Sequence, residues 1–109
     1  MDFLAMAAVA RANRWEKVSQ HDVVLATCAD GRRVGQVKWH LQLRDDGSER
    51  KVTCMSSWQW QAAGTLASTW KKQEDLILVN TSDVVGSLVW AGDKVVTILD
   101  PLFGDMHSP

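Results

Sequence analysis

The chain lacks tyrosine altogether, and among its 109 residues it has only two cysteines, two prolines and two phenylalanines. Cys28 and Cys54 form no Cys-x-x-Cys pair and sit in no tight cluster with His21, His40 or His107, so nothing in their spacing supports a metal site. Two cysteines in a chain that is 46% hydrophobic also argue against a disulfide scaffold and for reduced thiols in a cytoplasmic or nuclear protein. No excess charge of either sign is present: the formal net charge is −1, so no strong field advertises nucleic acid. No apolar run reaches the length of a membrane span. The run from Phe3 to Ala10 is short and preceded by Asp2 rather than a basic segment, which argues against a secretory leader. No cofactor fingerprint appears, and neither does Gly-x-Ser-x-Gly, a phosphate loop, His-Glu-x-x-His or a paired-carboxylate signature. Cys28 or Cys54 with His40 and an Asp is the sole candidate triad, a combination that any chain of this composition offers; the expectation is no enzyme.

What is present in quantity is tryptophan, six residues, and alternating apolar sequence. The length suits one domain over residues 1–109. Asp2 as a cap, followed by Ala, Leu, Met and Arg, predicts a helix over about residues 2–15, with Phe3, Met6, Ala7 and Ala10 on one face and Trp15 as a packing anchor. Strands follow. Residues 22–28 end at an Asp30-Gly31 turn signal, and matching the apolar faces favours a three-residue loop that sets Leu25 opposite Val37 and Val23 opposite Trp39. The next hairpin is the clearest: with Asp46-Gly47 as the loop, Leu41 faces Val52 and Trp39 faces Cys54. Trp58 and Trp60 fall on one strand face, where they cap a core or stack on a partner. Residues 61–74 are less regular, Leu76–Val79 reads as a buried strand, and Asn80 to Asp83 is a break. The run from Val84 to Ile98 then forms a hairpin around Gly92-Asp93, with Trp90 facing Val95 and Ala91 facing Lys94. Both of its faces are apolar, so it needs a second surface. Residues 101–109 form a loose tail after the last strand, which Pro101 ends. The fold class expected is mainly β with an N-terminal α-helix. The strands, spanning about residues 22–100, would form a small, strongly bent antiparallel barrel of five or six strands.

Two segments resemble the Sm and Sm-like family. The run from Val23 to Val37 is similar to that family's first motif: a hydrophobic strand, Asp30-Gly31, then Gly35 followed two residues later by aliphatic Val37. The run from Leu88 to Ile98 is similar to the second motif around Gly92. The chain departs from the family at the base pocket: Ala91 stands at the position of the family's Arg, and Asp45, Asp46 and Gly47, or Asp75, stand where its Asn would lie. The resemblance implies a divergent subunit of an RNA-associated assembly, built by strand pairing with other Sm-like subunits, with uridine-rich single-stranded RNA as a candidate ligand. It leaves open whether residues 51–61 or Leu76–Val79 supply the family's third strand. Candidate RNA contacts are Arg44, Arg50 and Lys51 at the hairpin tip, with Gly92 and Lys94 of the second motif. Asp45, Asp46 and Glu49 offset those charges, so the tip also reads as an ordinary solvated turn. Candidate subunit-interface residues are Val85, Leu88, Trp90, Val95 and Val96, which equally suit the filling of one core. The alternative is a small β protein-interaction or assembly module with no RNA role.

Overall fold

The computed structural model describes residues 2–7, 9–13 and 16–96. Among these residues twelve strands run in chain order: β1 Asp2–Ala7, β2 Val9–Asn13, β3 Glu16–Ser19, β4 Val23–Cys28, β5 Gly31–Asp45 and β6 Ser48–Ser57 come first. β7 Gln59–Ala62, β8 Ala67–Lys71 and β9 Leu76–Asn80 follow, and a single 3-10 turn at Thr81–Asp83 leads to β10 Val84–Ser87, β11 Trp90–Ala91 and β12 Lys94–Val96. They form a main sheet ordered β10-β4-β5-β6-β9, a smaller sheet ordered β11-β12-β8-β7, and the pair β2-β3.

β5 organises the main sheet. Of its fifteen residues, the stretch from Gly35 to Asp45 pairs with β6 along one edge. The other edge is shared: Gly31–Gln36 pair with β4, and His40–Arg44 pair with β1. That second stretch overturns the expected N-terminal helix. Residues 2–7 and 9–13 are strands, because the backbone groups of β5 beyond the end of β4 need a partner and β1 supplies it. Tertiary pairing overrides the helix propensity of Ala, Leu and Met, which amounts to a few tenths of a kcal/mol per residue.

The expected barrel is corrected as well. β9 and β10 end opposite edges of the main sheet and make no ladder with each other, so the sheet does not close, and the remaining strands separate into the other two sheets. Trp15, residues 97–100 at the end of the last expected strand, and the tail at 101–109 lie outside the described residues.

β4 sits between two cores. Val24 and Ala26 pack with Val18, Val37, Met55, Val79 and Val84 on one side. Val23 and Leu25 pack with Val34, Trp58, Trp70 and Val95 on the other. A strand covered on both faces needs no alternation, which is why Val23 to Ala26 is a continuous apolar run. This also explains the turn after β4. The face-matching that favoured Leu25 opposite Val37 assumed one buried face. With two, the chain turns directly through Ala29 and Asp30, setting Leu25 opposite Val34 and Val23 opposite Gln36.

The other two hairpins have the expected registers. Leu41 faces Val52 and Trp39 faces Cys54 across a turn in which Asp46 and Gly47 have φ of 50° and 81°. Glycine adopts that conformation without steric cost. Trp90 faces Val95 and Ala91 faces Lys94. A register shift between Val37 and Trp39 then turns the second half of β5. It leaves Val37 inward against Met55 and sends Trp39 to the opposite face.

Candidate protein-interaction face

The face that carries Trp39 is laid out by the ladders. β1, β5, β6 and β9 bring Met6, Leu41 and Val52 into one row that ends at Asn80. Trp39, Cys54 and Leu78 form the next row, and Gln36, Ser56 and Leu76 the third. Directly opposed residues in an antiparallel sheet project to the same side, so these rows share one face. Four large apolar side chains on it remain in solvent: Leu76 is 60% exposed, Leu78 54%, Met6 52% and Trp39 39%. Single exposed leucines are ordinary, whereas a cluster of neighbouring apolar groups on one sheet face marks an interaction surface.

β9 is also the last strand of the main sheet. Among the described residues it pairs only with β6, without a bulge, and it contains neither Pro nor Lys. Such an edge presents a row of backbone donors and acceptors to any added strand. The inner face of the same strand is closed: Val79 is buried and Ile77 packs against the first core.

Charges border the apolar rows. Arg50 lies on the face beside Val52, and Lys51 follows it on the opposite side of β6; both are exposed. Among the described residues neither has an acidic partner. Together with Asn80 and Ser82 they line a hollow of about 550 Å³ next to the 3-10 turn. Arg44 is different: its guanidinium lies 3.3 Å from Glu49, whose other carboxylate oxygen accepts a 2.9 Å hydrogen bond from Gln42. Glu74 and Asp75 stand exposed at the start of β9.

The expected RNA contacts are therefore divided. Arg44, Arg50 and Lys51 belong to the main sheet, while Gly92 and Lys94 belong to the β11–β12 hairpin of the small sheet, where the Lys94 ammonium donates to the Thr69 hydroxyl. The expected interface residues largely pack within this chain. Val95 is fully buried in the second core, Val85, Leu88 and Trp90 lie against it, and Val96 is half-buried. Trp58 and Trp60 separate because β6 ends at Ser57: Trp58 is 4% exposed and Trp60 43%. The Trp58 ring meets Trp90 edge-on at 5.8 Å, and the Lys72 ammonium lies 5.3 Å and 5.0 Å from the two ring centres.

Three side chains escaped sequence reasoning. Leu76 and Leu78 read as a buried run, and only the edge position of β9 exposes them. His40 reads as polar-face or triad material, but it is buried. Its Nε2–H donates to the Val18 carbonyl at 3.0 Å, which makes Nδ1 the acceptor of the Thr53 hydroxyl at 2.8 Å. Thr53 in turn accepts from Thr81 at 3.0 Å. Burial holds the His40 pKa below its ordinary value, opposed by the Val18 hydrogen bond and the charge of Asp22. Neither ring nitrogen is bonded to a thiol. Burial raises the pKa of both thiols, with Asp30 adding to the effect at Cys28 and Lys38 opposing it at Cys54. Both cysteines are free.

Among the described residues, no group of three or more His, Cys, Asp or Glu could hold a metal ion. No helix among them is long and apolar enough to cross a membrane. No protein-family model matches the chain, and neither a curated protein nor a solved structure matches it significantly.

Proposed function

We propose that this protein is a non-enzymatic β-rich assembly module that binds another polypeptide along β9 and the apolar face beside it. One observation carries the reading: Leu76 and Leu78 are exposed on an unguarded edge strand, in register with the half-exposed Trp39 row. Main-chain pairing supplies affinity in such an arrangement, and alternate side chains supply specificity. The free, partly buried thiols support the nuclear or cytoplasmic placement expected from the sequence.

Selection from a displayed library of random peptides, with the protein kept dilute, tests this reading. Extended peptides with alternating apolar residues are expected to be enriched on the wild-type protein and not on a Leu76→Lys/Leu78→Lys variant. Equal recovery on both proteins refutes it.

A second reading keeps the RNA-associated, Sm-like subunit suggested by the sequence resemblance. Its support is that Arg50 and Lys51 are cations without acidic partners among the described residues, beside a hollow, and so are available to phosphates. On this reading, binding of a uridine-rich oligonucleotide weakens steeply with salt and is lost in Arg50→Ala/Lys51→Ala. Salt-insensitive or undetectable binding rejects it.

A further inference from the structure

The backbone of β9 has a defined polarity. Ser57 N–H donates to the Asp75 carbonyl at 3.0 Å, in line with the β6–β9 ladder. Hydrogen-bonded positions alternate along an antiparallel strand, so Asp75, Ile77 and Val79 turn their backbone groups toward β6. The N–H and C=O groups of Leu76 and Leu78 and the N–H of Asn80 point outward, while the Asn80 carbonyl caps the 3-10 turn. Among the described residues nothing takes up the outward groups.

The charges at the two ends of this edge are opposite. Glu74 and Asp75 precede the strand, and neither carboxylate has a partner among the described residues. At the other end Val52 lies opposite Asn80, so Arg50 and Lys51 continue β6 past the end of β9, beside the 3-10 turn. Alternation puts Glu74 on the same face as Leu76, Leu78 and Arg50.

We propose that β9 pairs antiparallel with β9 of a second copy of this chain, through a two-fold axis that sets Glu74 and Asp75 of each copy against Arg50 and Lys51 of the other. The proposal rests on the reading of this face as a protein-docking surface and names its occupant. A two-fold interface is self-complementary, and an edge that is acidic at one end and basic at the other is complementary to itself only when antiparallel. A parallel arrangement places acid against acid. In the antiparallel pair the outward backbone groups of Leu76 and Leu78 and the Asn80 N–H find partners, and Leu76 and Leu78 of the two copies join one apolar face that reaches Trp39 on each side.

The test is sedimentation velocity on the full chain over a range of concentrations, with charge-reversed variants. Arg50→Glu/Lys51→Glu makes both ends of the edge acidic, and Glu74→Lys/Asp75→Lys makes both basic. The wild type is expected to dimerise, and each variant alone to self-associate roughly a hundredfold more weakly. A mixture of the two variants is expected to recover a one-to-one dimer, because both ends are then complementary. Leu78→Pro removes an outward N–H and an exposed leucine side chain but no N–H of the β6–β9 ladder, so it should leave that ladder and the circular dichroism intact while abolishing the dimer.

A monomeric wild type overturns the proposal, as does a dimer indifferent to Leu78→Pro, or folded charge variants that fail to associate when mixed. A monomeric wild type that still enriches extended peptides removes the second copy and leaves the docking face. One that enriches none removes both.

Discussion

Lowering the pH through the histidine range should weaken the fold through a single side chain. His40 is 4% exposed and held neutral by burial, with Nε2–H on the Val18 carbonyl and Nδ1 accepting from Thr53. Its folded pKa is depressed, whereas in the unfolded chain it titrates near the ordinary value of about 6.5. The unfolded state therefore takes up the proton first as pH falls. The stabilisation is complete above about 6.5 and is lost as pH drops toward the folded value. One proton corresponds to about 1.4 kcal/mol per pH unit, so stability should fall by up to about 1.4 kcal/mol between roughly pH 7.5 and 5.5. Below that range the protonated ring brings a second donor to Nδ1, and the Thr53–Thr81 chain has to reverse. The assay is urea unfolding at closely spaced pH values, comparing wild type with His40→Gln. The glutamine keeps a donor and an acceptor but does not titrate, so subtracting its profile cancels the surface carboxylates. A difference profile that is flat across this window, or that rises toward acid, refutes the assignment of a buried neutral imidazole.

Other perturbations have equally definite outcomes. Gly35→Ala would set its methyl group onto the Ser56 carbonyl and 2.5 Å from the Met55 Cε, so thermal unfolding should show a loss of about 2–3 kcal/mol; an unchanged midpoint would contradict the close β5–β6 approach. Met55→Ala opens the first core and should cost about 2–5 kcal/mol in urea unfolding, while Met6→Ala on the open face should cost well under 1 kcal/mol. Cys28 and Cys54 should alkylate with iodoacetamide more slowly at mildly alkaline pH than a free cysteine, since burial disfavours both thiolates; reaction faster than the free thiol would reverse that reading.

How much was legible in the sequence depends on how many faces each strand buries. Trp39, Leu41, Val52 and Cys54 alternate cleanly, and the register drawn from them is the register of the β5–β6 hairpin. Trp90 and Val95 were placed equally well by the turn chemistry of Gly92-Asp93. Alternation carries no information in Val23 to Ala26, because both faces are buried, and there the expected turn was displaced. The N-terminal segment was misread for a different reason. Its helix-forming composition is local, whereas the unpaired stretch of β5 that recruits it lies more than thirty residues away. Of the candidate face, Trp39 and the β6 residues were visible as a stripe. Nothing in Leu76 to Val79 says that one side of that strand has no neighbour among the described residues.

The position of β4 between two cores has a consequence for how this sequence tolerates change. A strand with one wet face offers a drifting lineage every second position, and β9 should accept polar replacements at that period. The first four residues of β4 offer no such positions: Val23, Val24, Leu25 and Ala26 are each essentially inaccessible. A saturation library scored for folded protein would therefore show an unbroken intolerant block over these four residues. The same block ties together the two layers of the molecule, since consecutive residues of one backbone serve opposite cores: Val24 and Ala26 the first, Val23 and Leu25 the second.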